Sequence, residues 1–504
     1  MTRYMIPSMN ALPQALYRAR DLRELDRLAI AEFGIPAYTL MSRAGEAAYR
    51  LLRERWPRAR RIAVLCGGGN NGGDGMVVAR LAHAAGLPCR VLLLADPGRL
   101  HGEARQAYDA LSSAGLAPEA CSAVGEVDAD VVVDALLGTG LDRQLRGALR
   151  EAVDWLNRRQ VPVLSLDIPS GLDADTGNAL GVAVRAAVTI SFIGLKQGMF
   201  TGEGVDYCGR IVYDNLGVPA EVYARVAQPA FRITGDWISP LLPLRPRSAH
   251  KGRHGHVLLV GGAPGMAGAL RLAGEAAARV GAGLVTLATH PVHAAALNAV
   301  RPELICHAVA DPKALAPLLE RATVVGIGPG LGAEGWGLPL LSAVLESDRP
   351  LVMDADALNW LARKPQRKEE WILTPHPGEA ARLLGSSAAE IQADRWRAVR
   401  ALQQRYGGVV VLKGAGSLVC RGDGAIGLCD AGNPGMATGA MGDLLTGVIA
   451  GLLAQGLTPW EAATAGVYLH GRAGDLAAAE GERGLMAADL LDPLRRLVNP
   501  IRRR

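Results

Sequence analysis

The chain has 504 residues, 49% hydrophobic and 20% charged, a balance suited to packed domains rather than to a disordered chain. At about 100–200 residues per domain it needs two large domains or three smaller ones. Lys and Arg number 54 against 49 Asp and Glu, and a net charge of +5 is too small to imply a nucleic-acid or membrane partner; 4% aromatics argue against a base-stacking surface.

The glycines and prolines break the apolar residues into short runs, and none approaches the ~20 residues of a membrane span. The N-terminal stretch lacks a basic segment followed by a long apolar one, so no signal peptide is expected. Seven scattered cysteines, with no C-x-x-C pair, read as buried thiols of a reducing compartment, and the cytoplasm is the expected location.

In chain order, 15–33 and 41–55 are predicted helices. A strand at 61–66, a glycine loop at 67–75, a helix at 76–85 and a strand at 89–95 make a βαβ unit, hence a parallel sheet. Further strands are expected at 130–135, 161–167, 187–193 and 210–213. Prolines then interrupt the alternation between Pro219 and Pro246, and 238–246 cannot be a regular helix. A domain boundary is expected at about residue 230, giving domains 1–229 and 230–504. The second half restarts with a strand at 255–260, a helix at 267–280 and a strand at 283–289. Strands follow at 323–327, 350–354, 370–374 and 409–413, and a glycine-rich loop at 433–442 leads into a helix at 443–455. Both halves are α/β, without a fixed-period repeat.

Chemistry gathers at the strand ends, where open α/β sheets bind ligands. Gly67-Gly68-Gly69-Asn70-Asn71-Gly72-Gly73-Asp74-Gly75 suits close approach to a phosphate at a helix start. Asp96 ends the next strand, where a ribose-binding acid could sit. Asp134 and Asp167 close two further strands; each could also be a helix cap. Strands of one parallel sheet end on one edge, so Asn71, Asp134 and Ser170 could converge as oxygen ligands for a hard cation. In the second half, Gly439–Gly442 would cradle an anion, and Asp443 could accept a proton from a substrate hydroxyl. His376 stands between two prolines as a ligand contact or a turn residue. Lys413 reaches the same edge and could meet a nucleotide phosphate.

These motifs, with the upstream GIPAYTLMSRAGEAA and with LSLDIPSGLDADTG, resemble the NAD(P)H-hydrate epimerase domain over residues 10–225. The resemblance implies a Rossmann-like three-layer α/β/α sandwich. It implies that Asn70, Asn71, Gly72, Gly73 and Asp74, the loop Gly138-Thr139-Gly140-Leu141-Asp142-Arg143-Gln144, and Asp167 hold the damaged dinucleotide. It implies potassium on Asn71, Asp134 and Ser170, and acid/base roles for Asp167 and Lys196 in an order left open. Lys196 could instead be a surface phosphate contact or simply solvated. Residues 235–500 resemble the ADP-dependent NAD(P)H-hydrate dehydratase domain of the ribokinase-like superfamily. That implies substrate contacts from Ala269, Gly332, His376 and Asp443, with Asp443 as base. It also implies an ADP site at Lys413, Gly414, Ala415, Gly416, Ser417 and Gly442, and Mg2+ on the donor phosphates. Asp354 and Asp356 stay unassigned. Ala440 departs from the glycine frequent in that family.

The expected protein is a repair enzyme that epimerises C6 of hydrated NADH and NADPH (NADHX and NADPHX) and dehydrates the S epimer at the expense of ADP. A homo-oligomer is expected. The competing readings are a Rossmann oxidoreductase fused to a small-molecule kinase, and a non-catalytic N-terminal binding module on an active dehydratase.

Overall fold

The computed structural model describes residues 12–499 other than 122–124, 126, 229, 333 and 334; the first residues of the stretch read for a signal peptide lie outside the described residues. The chain divides into two compact units, Met1–Phe231 and Arg232–Arg504. Among the described residues no helix is long and apolar enough to cross a membrane.

The first unit carries strands β1 (Ala15–Tyr17), β2 (Ile62–Cys66), β3 (Cys89–Leu93), β4 (Glu119–Ala120), β5 (Val131–Ala135), β6 (Val163–Leu166), β7 (Val188–Phe192), β8 (Leu195–Lys196) and β9 (Arg210–Asp214). Its main sheet is parallel and seven-stranded, in the order β4-β3-β2-β5-β6-β7-β9. The strands read as unbroken apolar runs because both faces are covered. Val64, Cys66, Val131 and Val133 pack under the helices α1 (Ala19–Ala31), α2 (Ala37–Arg55) and α3 (Asn70–Ala84). The alternating Ala63, Leu65 and Val132 face α5 (Gly147–Asn157), which follows α4 (Gly102–Ser113). This is an α/β/α sandwich. From β2 the chain winds outward through β3 and β4. It then returns to the other side of β2 with β5, so the crevice for a ligand opens where β2 and β5 end.

Two expectations need correction. The helix expected over 15–33 starts only at Ala19; Ala15–Tyr17 is a strand whose Tyr17 pairs in parallel with Lys196. The glycine loop expected at 67–75 is helical from Asn70 onward. The glycines are there for contact: a Cβ at Gly72 would overlap the carbonyl of Gly67, and one at Gly73 would stand 2.5 Å from Met41 of α2.

After β10 (Ala230–Arg232), the second unit orders its strands β13 (Ile305–Ala308), β12 (Leu284–Thr289), β11 (His256–Val260), β14 (Val324–Ile327), β15 (Leu351–Met353), β16 (Trp371–Leu373), β17 (Val409–Leu412), β18 (Ser417–Cys420) and β19 (Ile426–Cys429). The sheet is parallel from β13 to β17 and antiparallel for the last two strands. Its winding reverses between β11 and β14, and the loops after those strands are tied by Ala263 N–H donating to Gly330 O at 2.7 Å. The helix expected from residue 443 begins at Met441, so Gly442 and Asp443 lie in its first turn.

Candidate active sites

In the first unit a cavity of about 490 Å³ opens at the switch point between β2 and β5. Asn70, Asn71 and Asp74 line it from the first turns of α3, Gly138–Leu141 from the loop after β5, and Asp167 and Lys196 from the ends of β6 and β8. The start of α3 leaves its first N–H groups without helical partners, which favours an anion there. Gly72 and Gly73 do not line the cavity; they pack α3 onto its neighbours. Asp142, Arg143 and Gln144 are exposed and continue the loop away from the cavity wall. Asp96 is also elsewhere, capping a turn by accepting from Gly98 N–H at 2.9 Å. Arg23 and Asp26 of α1 line the cavity and were not anticipated; their only sequence signal is an Arg-x-x-Asp step on a helix otherwise read as packing.

Behind the wall lies a nest of oxygens. The Asp134 carboxylate is fully buried and accepts from Ser170 Oγ at 2.6 Å, Ser165 Oγ at 2.8 Å and Ser170 N–H at 2.9 Å. Burial still pushes its carboxyl upward against those bonds, and a neighbouring cation would favour the ionised form. Asn71 is 8% exposed, and neither its Oδ1 nor its Nδ2 has a partner among the described residues. A buried amide without partners costs a few kcal/mol, about 1–3 per group, so Asn71 Oδ1 is set to meet something. Gly138 stands between: a Cβ there would lie 3.5 Å from Asn71 Cβ and 3.1 Å from Asp167 Oδ2. Asn71, Asp167 and the Asp134–Ser170 pair are therefore gathered at one strand edge. The rest of LSLDIPSGLDADTG is architectural, with Asp173 Oδ1 accepting from Asp175 N–H at 3.0 Å and Thr176 N–H at 2.7 Å.

Lys196 is 1% exposed, and its ammonium donates to Asp167 Oδ1 and, at 2.9 Å, to Ser191 Oγ. Asp167 has φ +67°, a left-handed conformation costing about 1–2 kcal/mol outside glycine, and Ile193 beside it has φ +61°. Tyr213 and Tyr223 hydroxyls hold Ile193 by donating to its carbonyl at 2.7 and 2.8 Å. Such strain collects where geometry serves a site. Among the described residues the other left-handed non-glycines are Leu216, lining this cavity, and Ala355 and Ala440 in the second unit.

In the second unit, Lys413 follows β17, and its ammonium donates to buried Asp354 Oδ1 at 2.6 Å and lies 3.8 Å from Glu379 Oε2. Burial opposes the charge on Lys413, but Asp354 and Glu379 outweigh it and hold the pKa above its ordinary value. Thr446 Oγ donates to Asp354 Oδ2 at 3.0 Å. Gly442 lies against this pair; a Cβ there would stand 3.0 Å from Lys413 Nζ. Asp443 is pushed up to about 6 by burial first and by the field of Asp354, with Lys413 opposing. On the neighbouring loop Gly332 N–H donates to Asp356 Oδ2 at 2.9 Å, and a Cβ on Gly330 would lie 3.5 Å from Ala269.

His376 caps the helix Pro377–Leu384, its Nδ1 accepting from Gly378 N–H at 3.0 Å while Glu379 accepts from His376 N–H. Its ring is half exposed, and burial of the remainder lowers its pKa. Ser417 opens β18 rather than closing a loop. Arg395 was missed by sequence reading. It is fully buried and donates to the carbonyls of Leu412 at 3.2 Å and of Lys413 and Gly416 at 3.3 Å, under the Lys413–Ser417 turn.

A family model described as NAD(P)H-hydrate dehydratase matches residues 257–496, and one described as the YjeF-related protein N-terminus matches residues 37–198. The chain is 51% identical over 490 residues to the bifunctional NAD(P)H-hydrate repair enzyme Nnr of Coxiella burnetii, covering 96% of this chain and 99% of that one. It is 45% identical over 491 residues to the protein of that name from Escherichia coli, covering 97% and 95%. Among solved structures, a ribokinase-like superfamily protein from Enterococcus faecalis is 29% identical with a TM-score of 0.50, over 54% of this chain and 96% of that one.

Proposed function

The chain belongs to the bifunctional NAD(P)H-hydrate repair enzymes, an epimerase unit followed by a dehydratase unit, and on that premise we propose which of its residues carry each step. The enzyme interconverts the C6 epimers of NADHX and NADPHX and returns the S epimer to NADH or NADPH, ADP giving AMP and phosphate.

In the first unit the hydrated nicotinamide lies in the cavity beside Asp167 and Lys196. The ring nitrogen lone pair expels the C6 hydroxyl as water, and water returns to C6 of the iminium. The Asp167–Lys196 pair exchanges the proton of the C6 oxygen on its own side of the ring. Asn71 Oδ1, the Asp134 carboxylate and Ser170 Oγ would hold potassium, a hard cation suited to an all-oxygen set. When bound, that ion supplies positive charge beside the dinucleotide. The unpartnered amide of Asn71 and the buried Asp134 support its presence. Chain residues do the rest: Asn70 and the α3 start meet the phosphates, and Gly138–Leu141 carry the nucleotide along the cavity rim.

In the second unit Lys413, Gly414, Ala415, Gly416, Ser417 and Gly442 hold ADP, and Ala269, Gly332 and His376 contact the hydrated nucleotide. Asp443 accepts the C6 hydroxyl proton as the oxygen attacks the terminal phosphorus. Phosphate is then a good leaving group: the nitrogen lone pair expels it, and loss of a C5 proton restores the dihydropyridine. Both oxygens of Asp354 are engaged by Lys413 and Thr446 and Asp356 Oδ2 by Gly332 N–H, so the other oxygen of Asp356 and the donor phosphates would offer the hard donors suited to Mg2+. Bound there, the ion neutralises phosphate charge. The reading rests most on Gly442–Asp443 meeting Lys413 at the strand edge. The cysteines are free thiols, buried at Cys66, Cys208, Cys420 and Cys429 but only half-buried at Cys89, Cys121 and Cys306, against the expectation that all are buried, and free thiols suit a cytoplasmic enzyme.

The test is recovery of reduced-nicotinamide absorbance from mixed NADHX epimers with ADP and Mg2+. The native enzyme recovers all of it, Asp443→Asn almost none, and Asp167→Asn halts with one epimer left. An Asp443→Asn protein that recovers the full signal at the native rate overturns the assignment of the base.

A further inference from the structure

Epimerisation poses a problem that one acid/base pair does not solve. The hydroxyl leaves one face of the ring and returns on the other, so a proton must be given on one side and taken on the opposite side. Asp167 is already engaged with the Lys196 ammonium. Yet the cavity wall carries more acid than that pair uses. Asp74 projects from the first turns of α3 and Asp26 from the middle of α1, elements separate from the strand ends that bring Asp167 and Lys196. Neither carboxyl makes a hydrogen bond or ion pair within the protein among the described residues, and the cavity's other charged groups are Arg23 of α1 and Glu103 of α4. Asp74 is half-buried in the wall; Asp26 is open to water at the mouth but ringed by protein.

We propose that Asp74 and Asp26 form a second proton station in the epimerase cavity, serving the face of the nicotinamide ring opposite the Asp167–Lys196 pair. This rests on the reading of Asp167 and Lys196 given above. For one epimer, a carboxyl of the Asp74–Asp26 station gives its proton to the departing hydroxyl. The C6–O bond breaks to release water and the nitrogen lone pair becomes the N1=C6 bond. A second water then forms the new C6–O bond at the other face, the N1=C6 electrons return to nitrogen, and the surplus proton passes to the Asp167–Lys196 pair. The other epimer runs the same steps in reverse, which resets both stations. Electrostatics agree with a proton held there. Burial, then the fields of Asp167 and Asp26, push Asp74 well above the carboxylate range; burial, then Asp167, push Asp26 up to about 6.

The test uses the full-length protein without ADP, so that the dehydratase is idle, and each separated NADHX epimer in 18O-labelled water. Label uptake at C6 is read by mass spectrometry, configuration by chromatography, and the uncatalysed rates are subtracted. The native enzyme labels both epimers while interconverting them. In Asp26→Asn/Asp74→Asn, conversion is expected to fall about 100-fold. One epimer keeps taking up label without inversion and the other loses uptake. Asp26→Asn alone, at an exposed position, should show a weaker form of the same split and decides the matter if the double variant does not fold. Label uptake and conversion falling together for both epimers would mean mere binding and overturn the proposal, as would no change in either. Asp167→Asn is run alongside: if it keeps both processes, the reading of Asp167 fails, whatever the double variant does.

Discussion

Asp443 has a measurable consequence of its environment. Its folded pKa, about 6, lies above the ordinary carboxylate value of 3.8. As a base it works ionised, so dehydratase kcat/KM, read with the S epimer and ADP, should fall below about pH 6. For stability the sign is opposite: between the two values the folded state binds more protons, so this group stabilises at acid pH and its contribution is lost as pH rises through about 6. Asp443→Asn should remove the acid limb along with about 100-fold or more of the rate. Ala440, three residues earlier, sits at φ +67° where glycine fits better. Ala440→Gly should stabilise by about 1 kcal/mol, seen as a higher melting temperature. At this scale the sequence was informative where residue type and strand end coincide, as for Asp134, Asp167 and Lys413. It was silent on Asp26 and Arg395, because nothing in a helix pattern says which turn faces a cavity or lies under a loop.

Helix starts hold both sites, and helix packing sets where they stand. The helix Met441–Ala454 lies directly on Ala267–Arg279: a Cβ at Gly447 would overlap the Ala273 carbonyl, and one at Gly451 would stand 2.8 Å from Ala277 O. Gly447→Ala should therefore destabilise by about 2–3 kcal/mol in denaturant unfolding and slow dehydration by shifting Asp443. The same economy of space explains why 67–75 reads as a loop yet folds as a helix start. Glycine density signals close approach, and from sequence a phosphate and a neighbouring helix look alike. Short strands such as Ala15–Tyr17 and Leu195–Lys196 were illegible for another reason. Two or three residues carry no period, and pairing with strands distant in the chain fixes them.

Across the whole molecule, each unit has its own switch point and its own set of charged groups, so the two reactions need no shared residue. Asp167→Asn and Asp443→Asn proteins mixed together should recover all the absorbance from both epimers, because each supplies the unit the other lacks. Continued failure of the mixture would mean that the intermediate does not pass through solution. The alternation of strands and helices made both α/β units legible. The antiparallel strands Ser417–Cys420 and Ile426–Cys429 were not, since four-residue runs after a glycine turn carry too little period to mark them as strands.

The five left-handed non-glycine residues among those described also bear on any attempt to toughen the enzyme. A redesign that scores backbone comfort will nominate glycine at Asp167, Ile193, Leu216, Ala355 and Ala440, and at the first of these it would erase an acid/base group outright. At Ile193 and Leu216 it would trade a rigid wall for slack, so heat tolerance and turnover should part company there, whereas Ala440 is the place to begin.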